Sequence, residues 1–106
     1  IGSGYGRFLL MLDRHMRRLH NFLGMELRDP IVDRANAWAR ELGQERSVRF
    51  MRANATVSIG SVLSSYPGPL RLVTIQFPDP HFKKRHHKRR VVQPRLVEAV
   101  VERLEP

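Results

Sequence analysis

The chain has 106 residues, 42% of them hydrophobic, with 19 Lys+Arg against 10 Asp+Glu, a formal net charge of +9 and no cysteine. That length suits one domain or part of one, and the lack of cysteine excludes disulfides, thiolate metal sites and cysteine nucleophiles. No apolar run approaches membrane-spanning length, and no secretory signal is expected. The chain opens at Ile1 inside a glycine motif and closes at Pro106 just after a helical pattern, so it reads as a fragment of a longer chain. The charge is concentrated: Lys83 to Arg90 holds six of the basic residues and no acid, and the other 13 bases against 10 acids leave +3.

Ile1-Gly2-Ser3-Gly4-Tyr5-Gly6 reads as a glycine-rich turn. Phe8 to Leu12 and Met16 to Leu19 follow as a predicted helix, with Arg7, Arg14, Arg17 and Arg18 toward solvent. A glycine turn between a strand end and a helix lets backbone approach a cofactor closely. Its spacing departs from the dinucleotide fingerprint G-x-G-x-x-G. It suits the looser glycine loop of S-adenosylmethionine-dependent methyltransferases, although an ordinary turn fits the same residues.

Asn21 to Met25 is short and apolar and is closed by Glu26, which predicts a buried strand with an acid at its carboxyl end. Ligands of doubly wound sheets bind at that end, and an acid on the second strand can hold ribose hydroxyls. Gly4 and Glu26 stand 22 residues apart, about the spacing of that pattern. A solvent-facing strand-end acid is the plainer reading.

Asp29 is placed to cap a helix with Pro30 in its first turn. Ile31, Ala35, Trp38 and Leu42 mark its apolar face, and Gly43 ends it. Trp38 reads as core packing. Val48 to Met51 is the next strand. Asn54 after it can meet an adenine edge or cap the following helix, which the residues from Val57 to Ser65 predict weakly. Tyr66-Pro67-Gly68-Pro69 is a turn. Leu70 to Phe77 is β-branched and apolar and predicts the strongest strand. A last helix begins near Pro94, with Leu96, Val97, Val100, Val101 and Leu104 as its apolar face.

Strands alternating with helices predict a parallel α/β sheet. The glycine turn, Glu26, Asn54 and Asp79 all fall at carboxyl ends of predicted strands. Pro78 and Pro80 restrict Asp79 to an extended or turned backbone. The dense basic run from Lys83 to Arg90 cannot pack in a core and favours a polyanion such as a nucleic-acid backbone. A solvated charge run or a nuclear-import signal is the bland alternative. His86 and His87 are adjacent, so their rings do not easily converge on one ion, and no metal site is expected.

Taken together, Ile1-Gly-Ser-Gly-Tyr-Gly-Arg7, Gly24-Met-Glu-Leu-Arg28, Asn54-Ala55, Phe77-Pro-Asp-Pro-His-Phe-Lys-Lys-Arg-His-His-Lys-Arg-Arg90 and Val91-Val92-Gln93 resemble the tRNA (guanine-N7-)-methyltransferase family, in its bacterial and plastid-like members. The resemblance covers essentially the whole chain. The Pro-Asp-Pro and basic segment is its specific part, and the glycine loop is generic. It implies a Rossmann-like class I methyltransferase fold, a doubly wound parallel sheet truncated here at both ends, with residues 1–106 as a partial S-adenosylmethionine-dependent domain. It further implies that the sheet's first strand precedes Ile1, so that the edges flanking it stand unpaired in this chain.

By the same resemblance Gly2 and Gly4 would line the methionine moiety of S-adenosylmethionine. Glu26 would hold the ribose, flanked by Leu27 and Arg28. Asn54 and Ala55 would meet the adenine, where many bacterial members carry aspartate at the first position. Phe77 would sit at the cofactor edge. Asp79 matches the catalytic aspartate. Lys83 matches a substrate-contacting lysine, and Arg85, His86, His87, Lys88, Arg89 and Arg90 match the RNA-binding segment. The implied partner is tRNA, methylated at the variable-loop guanosine (position 46 in usual tRNA numbering). The implied place is the cytoplasm or a plastid, with no membrane and no metal. A partner subunit or self-association is left open.

Two other readings compete. One is a non-catalytic basic RNA-binding module, a decayed paralogue, against which the intact Glu26 and Asp79 speak. The other is a nuclear protein whose basic run is only an import signal. Strong tRNA binding that depends on Lys83 to Arg90 would argue against the second.

Overall fold

The computed structural model describes residues 1–17, 19–75, 92 and 94–104. The described elements, in chain order, are α1 (Arg7–His15), β1 (Phe22–Glu26), α2 (Asp29–Glu41), β2 (Val48–Arg52), α3 (Ala55–Ser65) and α4 (Pro94–Arg103). The chain divides into two compact units, Ile1–Ala53 and Asn54–Pro106.

In the first unit β1 and β2 pair in parallel, with Phe22 opposite Val48, Gly24 opposite Phe50 and Glu26 opposite Arg52. The expected parallel α/β arrangement is therefore present, as a two-stranded sheet among the described residues. A parallel pair needs a crossover, and α2 supplies it. The core lies between this sheet and the two helices: Leu10, Val32, Ala35, Ala39, Val48 and Phe50 are buried together, and Leu9, Phe22 and Trp38 pack against them. Trp38 thus serves packing, as its spacing suggests. The buried stripe of α2 runs along Val32, Ala35 and Ala39, one step away from the predicted Ile31 and Leu42.

Two element ends differ from expectation and a third agrees. α1 stops at His15 and does not continue from Met16 to Leu19, because Arg17 adopts a left-handed backbone with φ 58° and closes the turn on Arg14 O. Asp29 is the first residue of α2, and the residue flanking it is Arg28, whose side chain makes no capping bond. Gly43, with φ 70°, ends that helix as expected, its N–H on Arg40 O at 3.0 Å.

α1 is tied to the loop before β2 by a buried polar cluster. Asp13 has no solvent exposure, and its Oδ2 accepts from Gln44 Nε2 and Ser47 Oγ, each at 2.8 Å. Gln44 Nε2 also donates to Leu10 O at 3.0 Å. The cluster fixes where the chain turns into β2.

In the second unit α3 buries Ala55, Ile59 and Leu63, and α4 buries Leu96 and Val100. Val97 and Val101, predicted to share that apolar face, are exposed. Arg103 Nη2 donates to Leu63 O at 2.7 Å and so satisfies a carbonyl at the end of α3. The strand predicted from Leu70 to Phe77 is not formed over residues 70–75, where Leu70 makes one parallel bridge with Leu104. β-propensity expresses itself only against a neighbouring strand, and a bridge to a helix end is no ladder. The remainder of that stretch, Phe77 included, lies outside the described residues.

Candidate functional site

The glycine turn, Glu26 and Arg28 meet at the carboxyl end of β1. Gly2 N and Ser3 N donate to Met25 O at 2.7 and 3.0 Å, which ties the turn to the strand. Gly6 N closes back on Ser3 O at 3.0 Å, and Gly6 O then accepts Leu10 N at 3.0 Å to begin α1. Gly2, Gly4 and Gly6 all have positive φ, at 68°, 55° and 88°, a conformation that L side chains resist. A Cβ on Gly2 or Gly4 would meet no atom of the described residues within 4 Å. Those two glycines therefore leave open space above the strand end.

Glu26 lies beneath this turn and is 7% exposed. Its Oε2 accepts from Arg28 N at 2.9 Å and from Arg28 Nε at 3.3 Å. Burial pushes its pKa up. The Arg28 backbone N–H, the Arg28 side-chain hydrogen bond and charge, and the Gly4 N–H more than offset burial and leave the carboxyl below its ordinary range. Glu26 is thus held as an ionised acceptor at a strand end. A carboxylate can accept at about four lone-pair positions, so capacity remains for hydroxyl donors. Leu27 and Arg28 beside it are exposed.

The donor set fits an adenosyl cofactor. An ionised carboxylate suits vicinal ribose hydroxyls, and a turn without Cβ atoms suits close approach of a ligand to backbone.

Asn54 and Ala55 lie at the start of the second unit. Asn54 Oδ1 accepts from Thr56 N at 3.2 Å and Thr56 Oγ1 at 2.6 Å, so Asn54 is the N-cap of α3. Of the two roles its sequence position allows, capping is the one its oxygen performs. Ala55 is buried in the first turn of that helix. Phe77, Asp79, Lys83, Arg85, His86, His87, Lys88, Arg89 and Arg90 lie outside the described residues.

Sequence reasoning passed over Asn36, Phe50 and the reason for Gly24. Asn36 Nδ2 donates to Phe50 O at 2.9 Å, and Asn36 Oδ1 accepts Phe50 N at 3.0 Å. One side chain thus stands in for a neighbouring strand along the outer edge of β2. An Asn on a helix and a Phe in a strand carry no local signal for this. A glycine inside the apolar run of β1 is a weak one, since glycine in a strand marks close approach.

The family model described as "Putative methyltransferase" matches residues 1–106. The tRNA (guanine-N(7)-)-methyltransferase of Synechococcus sp. (strain JA-3-3Ab) is 56% identical over 106 residues, all of this chain and 43% of that protein. The enzyme of the same name from Synechococcus elongatus (strain ATCC 33912 / PCC 7942 / FACHB-805) is 50% identical over 101 residues, 94% of this chain and 46% of its own length. That of Synechocystis sp. (strain ATCC 27184 / PCC 6803 / Kazusa) is 44% identical over 107 residues, all of this chain and 49% of its own length. The chain therefore spans a little under half the length of these curated relatives. With the open glycine turn and the strand-end carboxylate in place, the match over its full length shows that the chain belongs to this methyltransferase family.

Proposed function

We propose that the whole protein carrying this chain transfers a methyl group from S-adenosylmethionine to N7 of the variable-loop guanosine of tRNA (position 46). The sheet would be of the Rossmann-like class I type, and the reaction would take place where tRNA is found, in the cytoplasm or a plastid. The observation that carries this reading is the ionised, nearly buried Glu26 beneath an open glycine turn, in a chain 56% identical to an enzyme of that name.

S-adenosylmethionine, when bound, supplies an electrophilic methyl group. Glu26 would accept the ribose hydroxyls, the Gly2 to Gly4 backbone would lie along the methionine moiety, and Leu27 and Arg28 would flank the adenosine. Asn54 and Ala55 would meet the adenine. Asn54 Oδ1 is engaged with Thr56, which leaves its Nδ2 as the group most available to a base. Phe77 would close the cofactor edge.

Guanine N7 keeps a free lone pair at neutral pH and needs no deprotonation, so alignment is the main task. The purine gains positive charge as the methyl group arrives. A fixed carboxylate that accepts the base's N–H donors stabilises that charge. Asp79, between Pro78 and Pro80, is assigned that role. Removing the guanine from its stack costs a few kcal/mol. Contacts from Lys83 and from Arg85, His86, His87, Lys88, Arg89 and Arg90 to phosphate and base offset this cost.

The test is methyl transfer from labelled S-adenosylmethionine to unmodified tRNA by the whole protein, followed by chemical cleavage at N7-methylguanosine. Cleavage in the variable loop is the expected result. Tight tRNA binding without transfer would overturn the enzymatic reading in favour of a non-catalytic RNA-binding module.

A further inference from the structure

We propose that Phe50 is a positioning residue for the cofactor: its ring is the spacer that sets the glycine turn at its height above β1, over the Glu26 carboxylate. This rests on the reading of Glu26 and the glycine turn as the adenosyl site, and deepens it.

The four glycines around the strand end are of two kinds. At Gly2 and Gly4 a Cβ would stand in open space. At Gly6 and Gly24 it would run into Phe50. On Gly24, a Cβ would collide with ring Cδ1 and come within 2.8 Å of Cε1 and 2.9 Å of Ser3 Cβ. On Gly6, it would collide with ring Cζ and stand 3.0 and 3.1 Å from Cε1 and Cε2. The ring therefore touches both the strand and the point where the turn becomes α1. It occupies the space that these two glycines vacate. Phe50 is 5% exposed and belongs to the core of its unit, so the ring cannot swing aside cheaply.

The turn is tied to β1 before this spacer and to α1 after it. Gly2 N and Ser3 N hold Met25 O before it, and Gly6 O holds the first turn of α1 after it. The turn's height is then set by the thickness of what lies beneath, which is the ring. The ring's own position follows from its backbone, which Asn36 grips at both N and O. Asn36, Phe50, Gly24 and Gly6 thus form a support that holds the turn over the carboxyl end of β1. Phe50 acts through the turn and is given no contact with substrate.

The experiment uses the whole protein and S-adenosylhomocysteine as probe, with affinity measured by calorimetry. Phe50→Leu and Phe50→Met keep an apolar side chain but change its thickness. Both should weaken binding about tenfold, the loss of roughly one well-placed hydrogen bond. The kcat at saturating cofactor and the KM for tRNA should stay within about twofold, a split that general destabilisation would not produce. Gly24→Ala should weaken binding too. Adding Phe50→Leu to it should restore part of the loss, because the smaller side chain makes room for the new methyl group. If the Phe50 variants bind as wild type does, or if the Gly24 and Phe50 losses simply add, the spacer role is refuted while the cofactor reading stands. If the wild-type protein itself does not bind the probe, the cofactor reading falls and this inference with it.

Discussion

Replacing Asn36 by alanine removes the two hydrogen bonds that hold the outer side of Phe50, at 2.9 and 3.0 Å. Each such bond contributes about 0.5–1.5 kcal/mol net, and a buried backbone group left without its partner costs about 1–3 kcal/mol. Asn36 is only half-buried, so water can reach part of the gap, and a total near 2–3 kcal/mol is the better expectation. Alanine returns roughly 0.6 kcal/mol through its higher helix propensity in α2. The hydrogen bonds win, and the net loss is about 2 kcal/mol, near thirtyfold in the folding equilibrium. Urea unfolding of the whole protein followed by circular dichroism measures it. Asn36→Asp sharpens the test. Its carboxylate still accepts Phe50 N but faces Phe50 O with an acceptor where Nδ2 donated. It should destabilise more than alanine at neutral pH and recover as the pH is lowered far enough to protonate it. An alanine variant within about 0.5 kcal/mol of wild type, in the range of ordinary surface substitutions, would refute the account of Asn36 as the partner of the β2 edge.

Asp79→Ala in the whole protein should abolish methyl transfer and leave tRNA binding by filter retention largely intact; unchanged turnover would sink its catalytic assignment. Replacing Arg89 and Arg90 together by alanine should weaken tRNA binding and lower the salt slope by about 1.4–1.8 if each contacts one phosphate. A slope equal to wild type would count against those contacts. Glu26 titrates below its ordinary value of 4.5 in the folded chain, so it binds protons less readily folded than unfolded. The stability this provides is complete above that ordinary value and fades as the pH falls through the lower folded one. The stability gap between wild type and Glu26→Gln should accordingly narrow on acidification; a gap constant with pH would contradict it. Asn54→Ala removes the α3 cap and should cost about 1 kcal/mol, measured by thermal unfolding, whereas Asn54→Asp keeps the accepting oxygen and should cost much less.

Much of the site was legible because its signals are local. Positive φ selects glycine whatever surrounds it, so Gly2 and Gly4 could be read from spacing. A short apolar run closed by an acid announces a strand end, so Glu26 could be placed. Pro30 and Gly43 bracket α2 for equally local reasons, and only its cap moved by one residue. The strand predicted after Leu70 shows the limit. Its composition is the most β-prone in the chain, yet residues 70–75 form no ladder, since a ladder is a property of two segments and one cannot supply it.

What the sequence determined by itself is therefore the order of helices and strands in the first unit, the glycine turn, the acid at the strand end, and the family to which these belong. What only the tertiary structure decided is how that turn is held. Asn36 and Phe50 are 14 residues apart, and Asp13 meets Gln44 31 residues on. No periodicity or propensity links such pairs, because the energy of a buried hydrogen bond or a filled cleft exists only once the partners are brought together. Gly24 shows both sides. Its place in the strand was visible, but its purpose, to leave room for the Phe50 ring and for Ser3, required the parallel register that sets it opposite residue 50.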